Sequence, residues 1–489
     1  MTTIIDLKMK LRVAYNHDIS LANKIITYKN YVDSVYMASD PAVFPSSGSP
    51  YSLPSGLKKP DEDAGWVIGK LREYGIKTYL LLNATNFDPE IVRGYERSEL
   101  RKYLRRMVKE YGLEKVIIFS IPLAQRIKDD FPELGLEVST NAGVDSLEKA
   151  RYWQDAVDIE GICVHQRLNK RLETLKLIKT KTGLKLSIIA NNQCLINCPN
   201  EISHNNFSSY SGHGITYFPC HHFLTVRPWD VFHQARLVPA NLRHFKNIVD
   251  IIKIEGRADS AENIIELVSC YAEKLDSYEY PGNYTGVWYP FYHPYTIKRE
   301  PSGIFEKVSQ CDLKCEDCGY CRSLWMKYYG FDDSIKYCLD AYQAFYKKDY
   351  ASSAKLFKLY IATGKTVDDH LYYHFGMALN LCGELSAAAS ALEMAIKINS
   401  SRWIYYNLLG AVYRSLGLDR ESVEALKTAV KLNAGEWSNY NILGNIYFNS
   451  GKFREAVLMF DKALSLNPDA DYIVKIKEKK HIAEGKILS

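Results

Sequence analysis

Residues 437–468 read WSNYNILGNIYFNSGKFREAVLMFDKALSLNP. Tyr440, Leu443, Gly444, Tyr447, Gly451, Ala456, Phe460, Ala463 and Pro468 mark this stretch as two helices joined at a turn. Three of these marks return upstream at a fixed interval of 34 residues. Gly376, Gly410 and Gly444 form one series, Gly383, Gly417 and Gly451 a second, and Ala395, Ala429 and Ala463 a third. Three coincident series are a repeat, and a repeat of that length is one supersecondary unit stacked on its neighbours.

A 34-residue helix–turn–helix period is of the tetratricopeptide (TPR) type. The first glycine lets two helices approach closely, the second sits at the turn, and the alanine allows tight contact in the second helix. Large side chains such as Tyr413, Tyr447 and Phe460 fill the space between helices. An earlier unit through Tyr350, Phe357 and Tyr360 is one residue out of phase, and the polar segment Asp469–Ile487 suits a capping helix. Residues 336–489 are therefore expected to be an all-α TPR solenoid. Its concave groove is expected to hold a peptide or protein partner; packing on the other domain or dimerisation is the plainer alternative.

The whole chain has 489 residues, which predicts two or three domains. Apolar residues make up 47% and charged residues 24%, as in an average globular protein. With 62 basic against 57 acidic residues the net charge is only +5, which argues against strong generic nucleic-acid affinity. No run of about 18 apolar residues predicts a membrane span. The opening MTTIIDLKMKLRVAY lacks the order of a secretory signal, so a cytoplasmic location with no membrane contact is expected.

Before Gly330 short β-rich runs alternate with amphipathic stretches. The strand candidates are Leu11–Tyr15, Ser34–Ala38, Lys77–Asn83, Lys115–Ser120, Leu136–Thr140, Ile159–Val164, Leu184–Ala190 and Ile251–Glu255. Helix candidates include Ala64–Tyr74, Ser98–Tyr111 and Ser146–Gln154. About eight such units predict a TIM-like β/α barrel over residues 1–305, with an open doubly wound sheet as the fallback. No GxGxxG follows the first strand, which gives a dinucleotide fold no support. In a barrel the chemistry sits at the C-terminal strand ends. Polar residues gather there: Asn83 and Asn86, Ser139 to Asn141, His165 and Arg167, Asn191, Asn192 and Cys194, and Glu255 and Arg257.

The eleven cysteines are clustered. Cys163, Cys270, Cys338 and Cys382 lie among apolar neighbours and read as core packing. Cys194-x3-Cys198, followed by Cys220, offers soft thiolates suited to iron–sulfur or zinc, a histidine completing a zinc set; buried, unliganded thiols are the plain reading. His204, His213, His221, His222 and Arg227 surround the block. Cys311-x3-Cys315-x2-Cys318-x2-Cys321 falls in an expected linker, residues 306–335. Four thiols so closely spaced can wrap a 4Fe–4S cluster, with zinc as the alternative and unliganded thiols as the plain reading. The first three also match radical S-adenosylmethionine spacing. Against that class stand the position after the last strand, Asp317 where an aromatic residue is usual, and a fourth cysteine. There is no GxSxG, HExxH or phosphate loop.

The order NNQCLINCPNEISHNN, YFPCHH, VRPWD and IIKIEGR, with EVSTNAG at the fifth strand candidate, resembles the collagenase-like peptidase family U-32 over roughly residues 8–325. The resemblance implies a barrel with a 4Fe–4S cluster at its mouth. It also implies oxygen-independent hydroxylation of ribosomal RNA, transfer RNA or the ubiquinone ring, with prephenate as hydroxyl donor in some members. Carried over, Cys194, Cys198 and Cys220 would be cluster ligands, and Glu255 and Arg257 would line the pocket, with His204 and Arg227 as further catalytic candidates. The fourth cysteine is missing near this block; Cys163 and Cys270 fall in a strand and a helix. A three-cysteine cluster leaves one iron open to act as a Lewis acid or electron donor. The expected function is an iron–sulfur enzyme with one or two clusters and a redox partner. It would modify a macromolecule such as RNA, or a small aromatic substrate, with the groove recruiting a partner. A peptide-maturation enzyme, a peptidase and a non-enzymatic metal-bearing scaffold are the alternatives.

Overall fold

The structure, a computed structural model, describes residues 3–40, 43–44, 60–85, 87–192, 194–196, 198, 201, 227–256, 260–281, 299–312, 318–328, 333–364, 367, 369–466 and 470–488. They form two compact units: a barrel unit that runs through Tyr328, and a helical unit beyond it.

The barrel has eight strands: β1 Lys10–Ala14, β2 Val32–Ala38, β3 Lys77–Leu82, β4 Lys115–Ile118, β5 Gly135–Val138, β6 Gly161–Cys163, β7 Lys185–Ile189 and β8 Ile251–Ile254. Each pairs in parallel with the next, and β8 closes on β1 with Arg12 opposite Lys253. The closed barrel is the architecture, and every strand candidate lies within two residues of an observed strand. Parallel neighbours need a helix between them. Capping side chains start those helices soon after the strands end. Asp18, Ser98, Ser120, Ser146 and Ser260 each accept a backbone N–H of the first helical turn. Helix Glu99–Lys109 buries Leu100, Tyr103, Leu104 and Met107, one stripe at helical spacing. Each such side chain contributes roughly 1.5–3 kcal/mol on burial.

Alternation along the strands separates two environments. Leu11, Val13, Val35, Met37, Leu80, Leu82, Ile252 and Ile254 pack outward in the large core beneath the helices. Ala14, Tyr36, Tyr79, Leu81 and Ile117 form a separate inner cluster. Barrel interiors are usually filled with branched apolar side chains, but here charge is enclosed. Arg12 pairs with Glu137, donates to Ser34 Oγ at 2.9 Å, and lies 4.0 Å over the Tyr79 ring. Ser187 donates to the same Glu137 oxygen at 3.0 Å. Burial opposes the Arg12 charge, but Glu137 and Tyr79 outweigh it and the guanidinium pKa is raised.

The helical unit stacks the pairs Asp333–Tyr346 and Tyr350–Ala362, Asp369–Leu381 and Leu385–Ile398, Trp403–Ser415 and Asp419–Leu432, and Trp437–Asn449 and Phe453–Ser465, then Ala470–Leu488. The repeat glycines have the expected steric cause. A Cβ on Gly410 would come within 2.6 Å of Leu426 Cγ, and one on Gly444 within 2.6 Å of Phe460 Cε1. The out-of-phase first pair also has a physical reason. Its turn is made by Lys348 at φ 63°, one residue earlier than the glycine series requires, and Tyr342 stands where the close-contact glycine would be. Tyr342 packs edge-on to Phe357 at 4.9 Å. A left-handed lysine costs about 1–2 kcal/mol, which the surrounding packing offsets. Among the described residues no helix is long and apolar enough to cross a membrane.

Candidate functional site

The C-terminal ends of β7 and β8 are locked by one side chain. Asn191 donates from Nδ2 to the Glu255 carbonyl at 2.8 Å and accepts the Glu255 amide at Oδ1 at 2.9 Å. This extends the β7–β8 pairing past the last ladder bonds and fixes Glu255 at the mouth. Asn192 then links the mouth to the first cysteine. Its Oδ1 accepts the Cys194 amide at 2.8 Å, and its Nδ2 reaches Glu255 Oε2 at 3.3 Å and Gln166 Oε1 at 3.5 Å. Gln166 donates onward to Glu201 Oε1 at 2.7 Å, the oxygen that also meets His165 Nε2. Arg167 bonds Asp145 at 2.9 Å and lies 3.6 Å from Glu201. A continuous polar arc thus runs from the end of β6 to the end of β8.

The Cys194–Cys198 segment is held on a strap, the 3-10 helix Pro228–His233 and the two residues after it. The Ala235 amide donates to the Cys194 carbonyl at 2.8 Å, and the Ile196 amide to the His233 carbonyl at 3.0 Å. Asn169, fully buried, anchors the strap by donating to the Ala235 and Ile189 carbonyls, both at 2.7 Å. The Cys198 amide donates to the Leu195 carbonyl at 3.2 Å. Both thiols are half-buried.

The second cysteine segment docks on the other side of the same strap. Trp325, fully buried, meets Phe232 edge-on at 6.1 Å, and the Arg322 guanidinium lies 5.5 Å over the Trp229 ring. Arg171 donates to the Cys311 carbonyl. His233 Nε2 stands 3.5 Å from Cys321 Sγ, while its Nδ1 is 3.9 Å from Asp230 Oδ1. Burial, with Lys170, Arg227 and Arg171 nearby, lowers the His233 pKa to about 4, so its imidazole is neutral near pH 7. Burial raises the Asp230 pKa against the opposing pull of Arg227, which pairs with it at 3.0 Å.

Of the sequence candidates, Cys194 and Glu255 are linked at the mouth through Asn192, Cys198 follows on the strapped segment, and Arg227 stands at the strap beside Asp230. Cys311 and Cys321 are half-buried beside the strap, and Cys318 is exposed. His204, Cys220, Arg257 and Cys315 lie outside the described residues. The thiol donors suit a soft metal or cluster by their chemistry. Among the described residues, however, no three His, Cys, Asp or Glu side chains converge as a metal site. Sequence reasoning did not single out His233, Asp230 or Lys253. The signal for Lys253 was present, because it is a charge in the middle of the apolar strand IIKIE. It is 4% exposed and points into the barrel, where its ammonium meets the Tyr36 ring at 4.3 Å. Burial lowers its pKa, and burial raises that of the neighbouring Cys163 thiol.

Comparisons with known proteins follow this division. The peptidase family U32 pattern matches residues 22–222, and tetratricopeptide-repeat patterns match residues 405–436 and 440–470. An uncharacterized protease of Methanocaldococcus jannaschii is 24% identical over 284 residues, which cover 55% of this chain and 82% of the relative. The solved U32 peptidase Mk0906 aligns at 15% identity and a TM-score of 0.39, covering 50% of this chain and 92% of that one. YrrB, a TPR protein with an unusual peptide-binding site, aligns at 18% identity and a TM-score of 0.29, covering 33% of this chain and 84% of its own. Residues 22–222 are a peptidase family U32 domain, and C-terminal tetratricopeptide repeats follow it.

Proposed function

We propose that the barrel is an iron–sulfur-dependent enzyme that modifies a macromolecular or aromatic substrate at the mouth lined by Cys194, Cys198 and Glu255. The repeats recruit a peptide or protein partner. One observation carries the reading: Asn192 binds the Cys194 amide and the Glu255 carboxylate at once. A soft-metal donor and an acid–base side chain are thereby oriented by one residue at the catalytic end of a barrel. A cluster held by Cys194 and Cys198 would supply electron transfer or Lewis acidity there. Around it, Asn191 fixes the Glu255 backbone, and the strap supports the Cys194 carbonyl. Glu255 is the residue that takes or returns a substrate proton at Oε2. Oxygen-independent hydroxylation is the specific form that the sequence resemblance supports. The Cys311–Cys321 set holds a second metal, as a cluster or as zinc.

Anaerobic purification with iron and sulfide analysis tests this directly. Brown protein containing both elements, with a cluster signal in electron paramagnetic resonance that is lost in Cys194→Ala, is expected. Colourless protein carrying zinc alone overturns it. For the repeats, deleting residues 336–489 is expected to lower turnover of the natural substrate, and unchanged turnover refutes recruitment.

A peptidase is the second reading, and one observation favours it. Asp230, His233 and Cys321 stand in line as orienting acid, base and thiol. Casein cleavage that survives Cys194→Ala and disappears in Cys321→Ala would establish it.

A further inference from the structure

We propose that His233 is a metal ligand, joining Cys321 in a tetrahedral zinc-type site of mixed sulfur and nitrogen donors on the barrel. The inference rests on the reading that the Cys311–Cys321 set holds a metal, and adds a ligand from a distant part of the sequence.

Geometry carries it. In tetrahedral zinc sites the metal lies about 2.3 Å from sulfur and about 2.0–2.1 Å from imidazole nitrogen, so the two donors stand roughly 3.5 Å apart. His233 Nε2 and Cys321 Sγ are 3.5 Å apart. The pair therefore already spans one edge of such a tetrahedron.

The other ring nitrogen adds a second, independent observation. Metal-bound histidines commonly direct it at a carboxylate that fixes ring orientation and strengthens the ligand. His233 Nδ1 faces Asp230 Oδ1 at 3.9 Å, and Arg227 in turn holds Asp230. The histidine and aspartate side chains are 10% and 15% exposed, so the arrangement is protected from water. The ring is also fixed through its backbone, because the His233 carbonyl accepts the Ile196 amide.

The thiol side is equally well supported. Trp325 lies one helical turn beyond Cys321 in helix Tyr320–Tyr328 and is fully buried against Phe232, the residue before His233. The same packing that seats the helix thus sets the Cys321–His233 separation. Two corners are preset, and metal uptake draws in further thiols of the set, such as Cys318 three residues earlier. Three thiolates with one histidine is an established structural-zinc donor set.

The alternative use of the same geometry is a bare thiol–imidazole pair. The two differ in what they predict for metal. The test uses the full chain, stripped of metal under reducing conditions and titrated with Co2+. The wild type is expected to show sulfur-to-cobalt charge-transfer bands and, in pulsed electron paramagnetic resonance, a 14N coupling from a directly bound imidazole. His233→Phe is expected to weaken cobalt binding by more than about 100-fold, beyond the 10- to 100-fold typical of residues behind a ligand. Asp230→Asn is expected to weaken it by about 10-fold and keep the 14N coupling. His233→Cys is expected to bind cobalt and lose the coupling, which separates ligation from folding if the phenylalanine variant misfolds. Cobalt bound equally tightly by wild type and His233→Phe, with no 14N coupling in either, overturns the histidine ligand alone. A wild type that binds no cobalt at the set overturns the metal reading of Cys311–Cys321 as well. Alkylation of Cys321 that is fast, insensitive to Co2+ and dependent on His233 replaces both with the thiol–base pair.

Discussion

The repeat unit and the barrel mouth are built by opposite rules. In the repeats each structural need is met by a residue at a fixed interval, so Gly376, Gly410 and Gly444 meet Leu392, Leu426 and Phe460 by the same contact each time. At the mouth nothing repeats. Asn191 reaches Glu255 across 64 residues, and His233 reaches Cys321 across 88. Local, periodic contacts make a unit robust and readable. Long-range, unrepeated contacts make a specific site whose parts depend on one another.

The largest expected effect tests whether the second cysteine segment is part of the barrel. Trp325→Ala removes a fully buried indole that packs on Phe232 and is expected to cost about 3–5 kcal/mol. In differential scanning calorimetry the barrel transition falls and the repeat transition stays. Equal movement of both would erase the contrast between the units.

Acid strikes the other unit. His374 is fully buried in the repeats, and burial lowers its pKa to about 4. The unfolded chain binds its proton near pH 6.5, the folded one near 4, so stability is present above 6.5 and is lost as pH falls between those values. The loss amounts to up to about 3 kcal/mol at pH 4. Urea unfolding from pH 7 to pH 4 checks it, with His374→Phe expected to flatten the slope. Gly410→Val is a smaller, steric perturbation of the same unit. Its Cβ would meet Leu426 at 2.6 Å, and overpacking of this kind costs about 1–3 kcal/mol. The repeat transition alone is expected to shift.

The same difference explains what could be read from the chain. All eight strands were legible because parallel strands buried on both faces are apolar runs bounded by polar ends. The repeats were legible because their period is covalent. The cysteines, Asn191, Asn192 and Glu255 were legible as polar residues at strand exits. His233 and Asp230 were not. They lie in a short 3-10 segment whose role appears only once the strap is threaded between Cys194 and Cys321. The Arg12–Glu137 pair, 125 residues apart, was equally hidden, although both are charges inside short strands. In a barrel that is the informative anomaly: a charge inside a doubly buried strand must point inward and must find a partner there.

Lys253 is the inward charge whose partner is weakest, and it gives the smallest and most discriminating test. Arg12 already occupies Glu137, the Lys253 ammonium lies over the face of Tyr36, and the nearby Cys163, Glu255 and Glu137 favour its charge without outweighing burial. A cation on an aromatic face gains roughly 1–2 kcal/mol, less than the desolvation of a buried ammonium costs. Lys253→Met keeps the length and removes the charge, so it is expected to raise barrel stability by about 1 kcal/mol at pH 7. The sign with pH is fixed by linkage. The folded pKa is lowered, so the unfolded chain binds more protons and wild-type stability rises with pH from the lowered folded value toward about 10.5. The methionine variant loses that slope and leaves the acid sensitivity of the repeats untouched. Both wild-type units then weaken as pH falls, but in different windows: the barrel below about 10.5 and the repeats between about 6.5 and 4. Urea titrations of both proteins at pH 7, 8 and 9 decide it: a methionine variant less stable than wild type at every pH would mean that the Tyr36 contact outweighs desolvation and that Lys253 is a structural cation.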